Sequence, residues 1–146
     1  MNQRLERNWW KRNLKWLISF CIIFFLLIFV VSTEFGKIGA DIFKAYSDTE
    51  LYEDALDKVK TDPKIFDLLG KIEPIDKMSI LEGEVAYSNN SQTVHSTIRI
   101  IGSKGKAVMD IIAHKTNGVW NYSKVNIRIK KPIEKKQTIE IISNNK

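Results

Sequence analysis

An uncharged apolar segment near the start of the chain constrains its fold more than any other feature. No Asp, Glu, Lys or Arg interrupts residues 17–32, and five basic residues precede this segment with a single acidic residue among them. The hydrocarbon core of a bilayer is about 30 Å thick, and a helix of about 20 apolar residues crosses it. The sequence therefore predicts a membrane-spanning helix over residues 14–35, preceded by a basic cytoplasmic tail over residues 1–13.

The predicted anchor combines aliphatic and aromatic side chains. Tryptophan at the end of a span is typical, because its amphipathic ring suits the headgroup level. The basic residues lie before the span, so the positive-inside rule predicts a single-pass protein of the cytoplasmic (inner) membrane, with its N-terminus in the cytoplasm and its domain outside. The residues that we expect to anchor the helix in the bilayer are Trp16, Leu17, Ile22, Phe25, Leu27 and Val31.

A cleaved signal peptide is the alternative, since it also has a basic start and an apolar centre. The apolar run here is at or beyond the long end for such a peptide. The residues that follow it, Val-Ser-Thr-Glu-Phe-Gly, contain no convincing small-x-small cleavage site. These two features favour an uncleaved anchor. Cys21 is the only cysteine and is expected to be an apolar packing residue within the span.

The net charge of +6 is unevenly distributed along the chain. Residues 1–16 carry five basic and one acidic residue, whereas residues 33–146 carry eighteen basic and sixteen acidic residues. The basic excess therefore indicates membrane topology, and we expect no nucleic-acid partner. The part beyond the anchor is long enough for one small hydrophobic core.

Helical periodicity beyond the anchor predicts two short helices. Residues 47–50 fit a capping box, and five apolar residues then share one helical face. Asp62 followed by Pro63 predicts a second helix start, and Gly70 is well placed to end that helix in the left-handed region. Residues 36–46 are expected to be a juxtamembrane linker, which either continues the membrane helix or lies in the membrane interface. The apolar residues of the two helices are Leu51, Tyr52, Ala55, Leu56 and Val59, then Ile65, Phe66, Leu68 and Leu69.

From Ile80 onward the apolar period changes to two, which predicts four antiparallel strands. Turns are expected at residues 88–91, at residues 102–105 and at Asn117-Gly118, the last because Asn-Gly accepts positive φ. We therefore predict an α+β fold over residues 47–131, in which two short helices pack on a four-stranded antiparallel β-meander. Residues 132–146 are expected to be a tail, in which the alternating residues 137–142 suggest an edge strand or a docked segment.

Aromatic and basic residues of the fourth strand are candidates for a partner surface. Strict alternation puts Trp120, Tyr122, Lys124 and Arg128 on one face of the strand, opposite the apolar face of Val125, Ile127 and Ile129. An exposed aromatic patch there would suit a protein partner. The alternative is that Trp120 packs under the helices or the tail. Binding of an extended peptide at a strand edge is a further mode that the sequence leaves open.

Lys104 and Lys106 lie in a glycine-rich segment that resembles a phosphate-binding loop. Such a loop needs a helix after it, and here a strand is predicted to follow. We interpret the segment as a hairpin turn whose basic tip is suited to anionic lipid headgroups or to an acidic partner.

The sequence offers little for catalysis or metal binding. Beyond the span there is no cysteine, and the soft or imidazole ligands there are His95, His114, Met78 and Met109, in none of the usual copper or haem spacings. His95 and His114 could still meet across paired strands. No nucleophile elbow or HExxH is present. We expect no cofactor, no metal and no enzymatic activity.

The order and spacing of several short motifs resemble the cytochrome oxidase complex assembly protein 1 family, particularly its bacterial members. The resemblance runs over about residues 8–130, departs from the family at Ile101, and does not include residues 131–146. The matching motifs are residues 8–16 (NWWKRNLKW), 52–56 (YEDAL), 62–63 (DP) through 69–70 (LG) with 74–75 (PI), 100–107 (IIGSKGKA) and 117–123 (NGVWNYS).

The resemblance implies a non-enzymatic assembly factor in the inner membrane, whose domain faces away from the cytoplasm (in mitochondria, the matrix). Its mitochondrial relatives act early in the maturation of the oxidase's large catalytic subunit, so the implied partners are the bilayer and subunits of a respiratory membrane complex. The competing hypothesis is an envelope module that binds a small ligand or a lipid on its sheet. A large apolar cavity between helices and sheet would favour that hypothesis.

Overall fold

A long apolar helix is the first element of the chain. The computed structural model describes residues 3–144 and divides into two compact units, Met1–Gly39 and Ala40–Lys146. Helix α1 (Gln3–Ser32) contains the segment Asn13–Ser32, which has a mean hydropathy of 2.8 and is not buried. By its length and composition this segment is a candidate membrane span.

Helix α2 (Glu34–Ser47) occupies the segment that we expected to be a linker. The segment is therefore helical, and whether it continues the membrane span or lies in the membrane interface stays a prediction. Ala45 is its one buried residue, whereas the ring of Phe43 is exposed.

Helix α3 (Thr49–Lys60) buries the five apolar residues that the periodicity predicted. The predicted capping box is wrong: Asp48 is the N-cap and makes no side-chain capping bond. Ser47 still belongs to α2, where its hydroxyl donates to the carbonyl oxygen of Phe43 at 3.3 Å. The residues of the supposed box are therefore divided between two helices.

Helix α4 (Pro63–Leu69) begins as predicted. The Asp62 carboxylate accepts the backbone N–H groups of Lys64 at 2.8 Å and Ile65 at 3.2 Å, which satisfies two donors of the first turn. Gly70 ends the helix with φ of +68° and ψ of −147°, so φ is positive but the residue lies outside the left-handed helical region.

Helix α5 (Lys77–Leu81) was not predicted. The carboxylate of Asp76 accepts the backbone N–H of Ser79 at 2.7 Å and caps the helix. Ile80, where we expected the first strand to begin, therefore lies in a helix. The first strand starts at Glu84 instead.

Five antiparallel strands form one sheet whose spatial order repeats the sequence order. The fifth strand follows a short 3₁₀ turn, Ile133–Lys135, so the sheet has one strand more than the four predicted, in the segment where an edge strand was an open alternative. The strands are β1 (Glu84–Ser88), β2 (Thr93–Gly102), β3 (Gly105–Thr116), β4 (Val119–Lys131) and β5 (Thr138–Ser143).

Apolar side chains of α3, α4 and α5 form a single core with one face of the sheet. Tyr52 lies in this core, and its hydroxyl is 3.2 Å from that of Ser96 on β2. Burial raises the pKa of Tyr52 to about 12, so this phenol stays protonated and available as a donor. Core residues with no exposed surface include Leu51, Ile65, Leu69, Ile98, Met109 and Ile127.

Candidate functional site

A β-bulge in β4 decides which face of the sheet each predicted surface residue occupies. Lys124 pairs with Ile112, and Tyr122 pairs with the next residue of β3, Ala113. Ser123 is thus the extra residue of a bulge, and its hydroxyl donates to the carbonyl oxygen of Ile112 at 3.2 Å. Alternation along β4 is interrupted at this point, and the sequence contains no sign of it.

Trp120 and Tyr122 lie on the helix-covered face as a result. Trp120 is 7% exposed and belongs to the core. Tyr122 is half-buried, and its hydroxyl donates to the carbonyl oxygen of Leu51 in α3 at 2.7 Å. The prediction that these rings share a face with Lys124 and Arg128 is wrong, and the alternative of a packed Trp120 describes the structure. Burial, with Asp54 and Glu50 nearby, raises the pKa of Tyr122 above its usual value, which keeps the donor protonated.

The opposite side of the sheet carries polar residues of three strands, and we call Thr97, Asp110, Lys124 and Arg128 the charged face. Arg128 contacts Asp110 through two nitrogens: Nε is 2.5 Å from Oδ2, and Nη2 is 2.7 Å from Oδ1. The hydroxyl of Thr97 donates to the same carboxylate at 2.9 Å. Arg128 is therefore held by the fold, whereas Lys124 is exposed.

The electrostatics of the charged face centre on Asp110. Partial burial raises the pKa of Asp110, but hydrogen bonds from Arg128 and Thr97 and the charges of Arg128 and Lys124 outweigh that effect, so the pKa lies below its ordinary value. The hydrogen bond that Arg128 donates to Asp110 in turn raises the pKa of Arg128. Both groups are charged at neutral pH.

A shallow groove of about 440 Å³ lies on the charged face. Its lining mixes carboxylates, a lysine and apolar atoms, and it includes Glu84, His95, Asp110, Ile112 and Lys124. A groove in which opposite charges lie side by side is better suited to contact with a polar protein surface than to binding of an apolar ligand.

The basic turn between β2 and β3 is fixed against the segment that follows α4. Lys104 donates its backbone N–H to the carbonyl oxygen of Leu69 at 2.9 Å, and Ser103 donates to that of Lys71 at 3.0 Å. A Cβ on Gly102 would lie 2.3 Å from the carbonyl oxygen of Leu69, so glycine permits this close approach. Lys106 is exposed and lies on β3, one residue after the turn.

The two histidines are not direct partners. His95 pairs with Ile112, whereas His114 pairs with Thr93 and places Nδ1 3.1 Å from the Thr93 hydroxyl. Among residues 3–144, no group of three or more His, Cys, Asp or Glu side chains is arranged to hold a metal ion.

Phe66 and Lys71 are surface residues that the sequence reasoning missed. The ammonium of Lys104 lies 5.7 Å from the centroid of the Phe66 ring, which is 58% exposed. Periodicity assigned Phe66 to the buried side of α4, and no local signal marks it as exposed.

A comparison with models of protein families gives a match over most of the chain. The family described as cytochrome oxidase complex assembly protein 1 matches residues 20–143, from within the candidate span to the end of β5. No curated protein and no solved structure gives a significant match. Since the family match covers most of the sequence, the chain belongs to the cytochrome oxidase complex assembly protein 1 family.

Proposed function

We propose that the chain is a membrane-anchored, non-enzymatic assembly factor that helps a cytochrome oxidase to form by binding subunits of that respiratory complex. The observation that carries this proposal is the family match over residues 20–143, because the family implies a role in cytochrome oxidase assembly. The candidate span Asn13–Ser32 supports anchoring in the membrane where an oxidase is assembled.

The packing of the core supports protein contact over ligand binding. Leu51 and Ile65 from the helices, and Ile98 and Met109 from the sheet, have no exposed surface and belong to one cluster. Such side chains fill the space where a lipid-binding module would hold its ligand. This observation favours an assembly factor over the envelope ligand- or lipid-binding module considered above.

Within this proposal, Lys124 on the charged face is a residue that contacts a partner subunit. It is exposed and lies beside a groove, whereas Arg128 is occupied by Asp110. Charged residues at the rim of an interface mainly set the rate and specificity of association, so reversing one charge weakens capture without unfolding the protein. Trp120 and Tyr122 lie on the opposite face of the same strand, where they pack against the helices and so fix the position of β4.

Co-purification of the full chain from native membranes tests the proposal. In mild detergent, the wild-type chain is expected to bring down oxidase subunits, measured by quantitative mass spectrometry. Lys124→Glu should lower their recovery several-fold, whereas Lys135→Glu, an exposed lysine on the 3₁₀ turn, should leave it unchanged. Absence of every oxidase subunit from the wild-type sample would overturn the function, and equal recovery with both variants would overturn the role of Lys124.

A further inference from the structure

Phe66 is an exception among the large residues of α4. Ile65 and Leu69 have no exposed surface, whereas Phe66 is 58% exposed. A single exposed aromatic ring is common in folded proteins. Here the ring borders a groove of about 550 Å³ that Ile72 and Pro74 also line, so the exposed ring belongs to a concave, largely apolar surface.

Three lysines surround this groove. Lys60 and Lys71 line it, and the ammonium of Lys104 is 5.7 Å from the centroid of the Phe66 ring. Lys60 has an ion-pair partner, Asp57, at 3.3 Å. Neither Lys71 nor Lys104 forms an ion pair with any other residue in the described part of the chain. The groove thus places two uncompensated positive charges next to apolar atoms.

The lysine-bearing wall is held in place by hydrogen bonds to the turn between β2 and β3. Lys71 donates its backbone N–H to the Ser103 hydroxyl at 3.1 Å, and Ser103 donates its own N–H to the Lys71 carbonyl oxygen at 3.0 Å. Glu73 donates its backbone N–H to the carbonyl oxygen of Ile101 at 2.9 Å. A wall fixed in this way loses little conformational entropy when a ligand binds, which favours binding.

We propose that the groove beside Phe66 binds a partner-protein segment in which an apolar side chain is flanked by carboxylates. The apolar side chain would pack on Phe66 and Pro74, and the carboxylates would pair with Lys71 and Lys104. A concave surface with apolar walls encloses one side chain, whereas a bilayer surface would contact only the exposed edge of Phe66. This inference deepens the proposed partner-binding function and rests on it.

Short peptides of defined charge test this inference. The ¹⁵N-labelled full chain in phosphatidylcholine nanodiscs is titrated with acetyl-Glu-Leu-Phe-Glu-amide, while its backbone amide signals are followed by NMR. The signals of Gly70, Lys71 and Ile72 should shift and saturate. The Gln-Leu-Phe-Gln peptide should bind several-fold more weakly, and Lys-Leu-Phe-Lys should not bind, because attraction to the lysines is lost or reversed.

Two variants separate the apolar contribution from the charge contribution. Phe66→Ala should weaken binding of the acidic peptide about tenfold, whereas Val119→Ala, which truncates a residue 64% exposed at the start of β4, should not change it. The double variant Lys71→Glu/Lys104→Glu should prefer the Lys-Leu-Phe-Lys peptide. That reversal is a result that mere loss of folding cannot produce.

Several results would overturn the groove assignment. They are shifts located away from both residues 60–74 and residues 101–105, equal affinity for the acidic and basic peptides, or shifts that appear without peptide once phosphatidylglycerol replaces phosphatidylcholine. The last of these would identify an anionic membrane as the occupant. If the peptide does not bind but oxidase subunits are still recovered by co-purification, only the groove assignment is wrong. If the peptide binds but no oxidase subunit is recovered, only the proposed oxidase function is wrong.

Discussion

The hydroxyl of Tyr122 donates a 2.7 Å hydrogen bond to the carbonyl oxygen of Leu51, and this contact joins β4 to the first turn of α3. Tyr122→Phe is expected to lower the free energy of unfolding by about 1 kcal/mol, the usual net contribution of such a bond. Thermal or urea unfolding of the full chain in mild detergent measures the change. Tyr46→Phe is the matched control, because Tyr46 is also half-buried and its hydroxyl has no hydrogen-bond partner in the described residues. Equal losses in both variants would contradict the prediction.

The ion pair between Asp110 and Arg128 predicts a pH dependence of stability. The pKa of Asp110 in the folded chain lies below its ordinary value of 3.8, so its contribution is fully present above that pH and is lost as the pH falls through the lowered folded-state value. Asp110→Asn should reduce stability at pH 7 by up to about 1 kcal/mol. The melting temperature of this variant should also fall less between pH 5 and pH 2 than that of the wild type.

Glu134→Gln provides the control for this titration, since Glu134 is an exposed carboxylate without an ion pair in the described residues. Its melting temperature should follow the wild-type pH profile. A profile for Asp110→Asn that also follows the wild type would show that the ion pair makes no net contribution.

The bulge at Ser123 predicts opposite outcomes for two single-residue deletions. Removing Ser123 restores strict alternation while Trp120 and Tyr122 keep facing the helices, so Trp120 should stay buried. Removing Asn121 while the bulge at Ser123 stays in place turns Trp120 toward the other face. Acrylamide quenching measures the difference when the tryptophans at positions 9, 10 and 16 are replaced by Phe. Comparable quenching in the two deletion variants would show that the bulge does not set the face.

The proposed topology predicts which side of the membrane each end of the chain occupies. In a Cys21→Ala background, Asn117→Cys in the exposed β3–β4 turn should react with a membrane-impermeant maleimide in intact cells or right-side-out vesicles. Gln3→Cys should react only after permeabilisation. An epitope tag before Met1 that disappears from the mature protein would instead indicate signal-peptide cleavage.

Local signals in the sequence were sufficient for helices α3 and α4 and for most of the sheet. The five apolar residues of α3 recur at helical spacing. The N-cap of α4, Asp62, directly precedes Pro63, the first residue of that helix, so the start of α4 is visible in the local sequence. Asn117 and Gly118 both adopt the positive φ that the turn requires, 53° and 83°. Helix α5 has five residues, which is too short for periodicity to distinguish it from a strand.

The features that define the candidate surfaces depend on tertiary contacts. Whether Ser123 forms a bulge depends on how β3 and β4 pair, and the residues of β4 alone are compatible with unbroken alternation. Phe66 has the same apolar character as Ile65, and only the docking of α4 determines which of the two is buried. The sequence therefore predicted the layers of the fold more reliably than the faces on which side chains lie.

The sheet order has a consequence for synthesis of the protein. Each of the strands β2 to β5 hydrogen-bonds to the strand that precedes it in the sequence. When one of these strands is translated, its preceding partner strand has therefore already been translated. Contacts between neighbours in sequence carry a small loop-closure cost and favour rapid folding. The domain can therefore form strand by strand as the nascent chain emerges, which limits the time during which unpaired strand edges meet other unfolded chains at a crowded membrane.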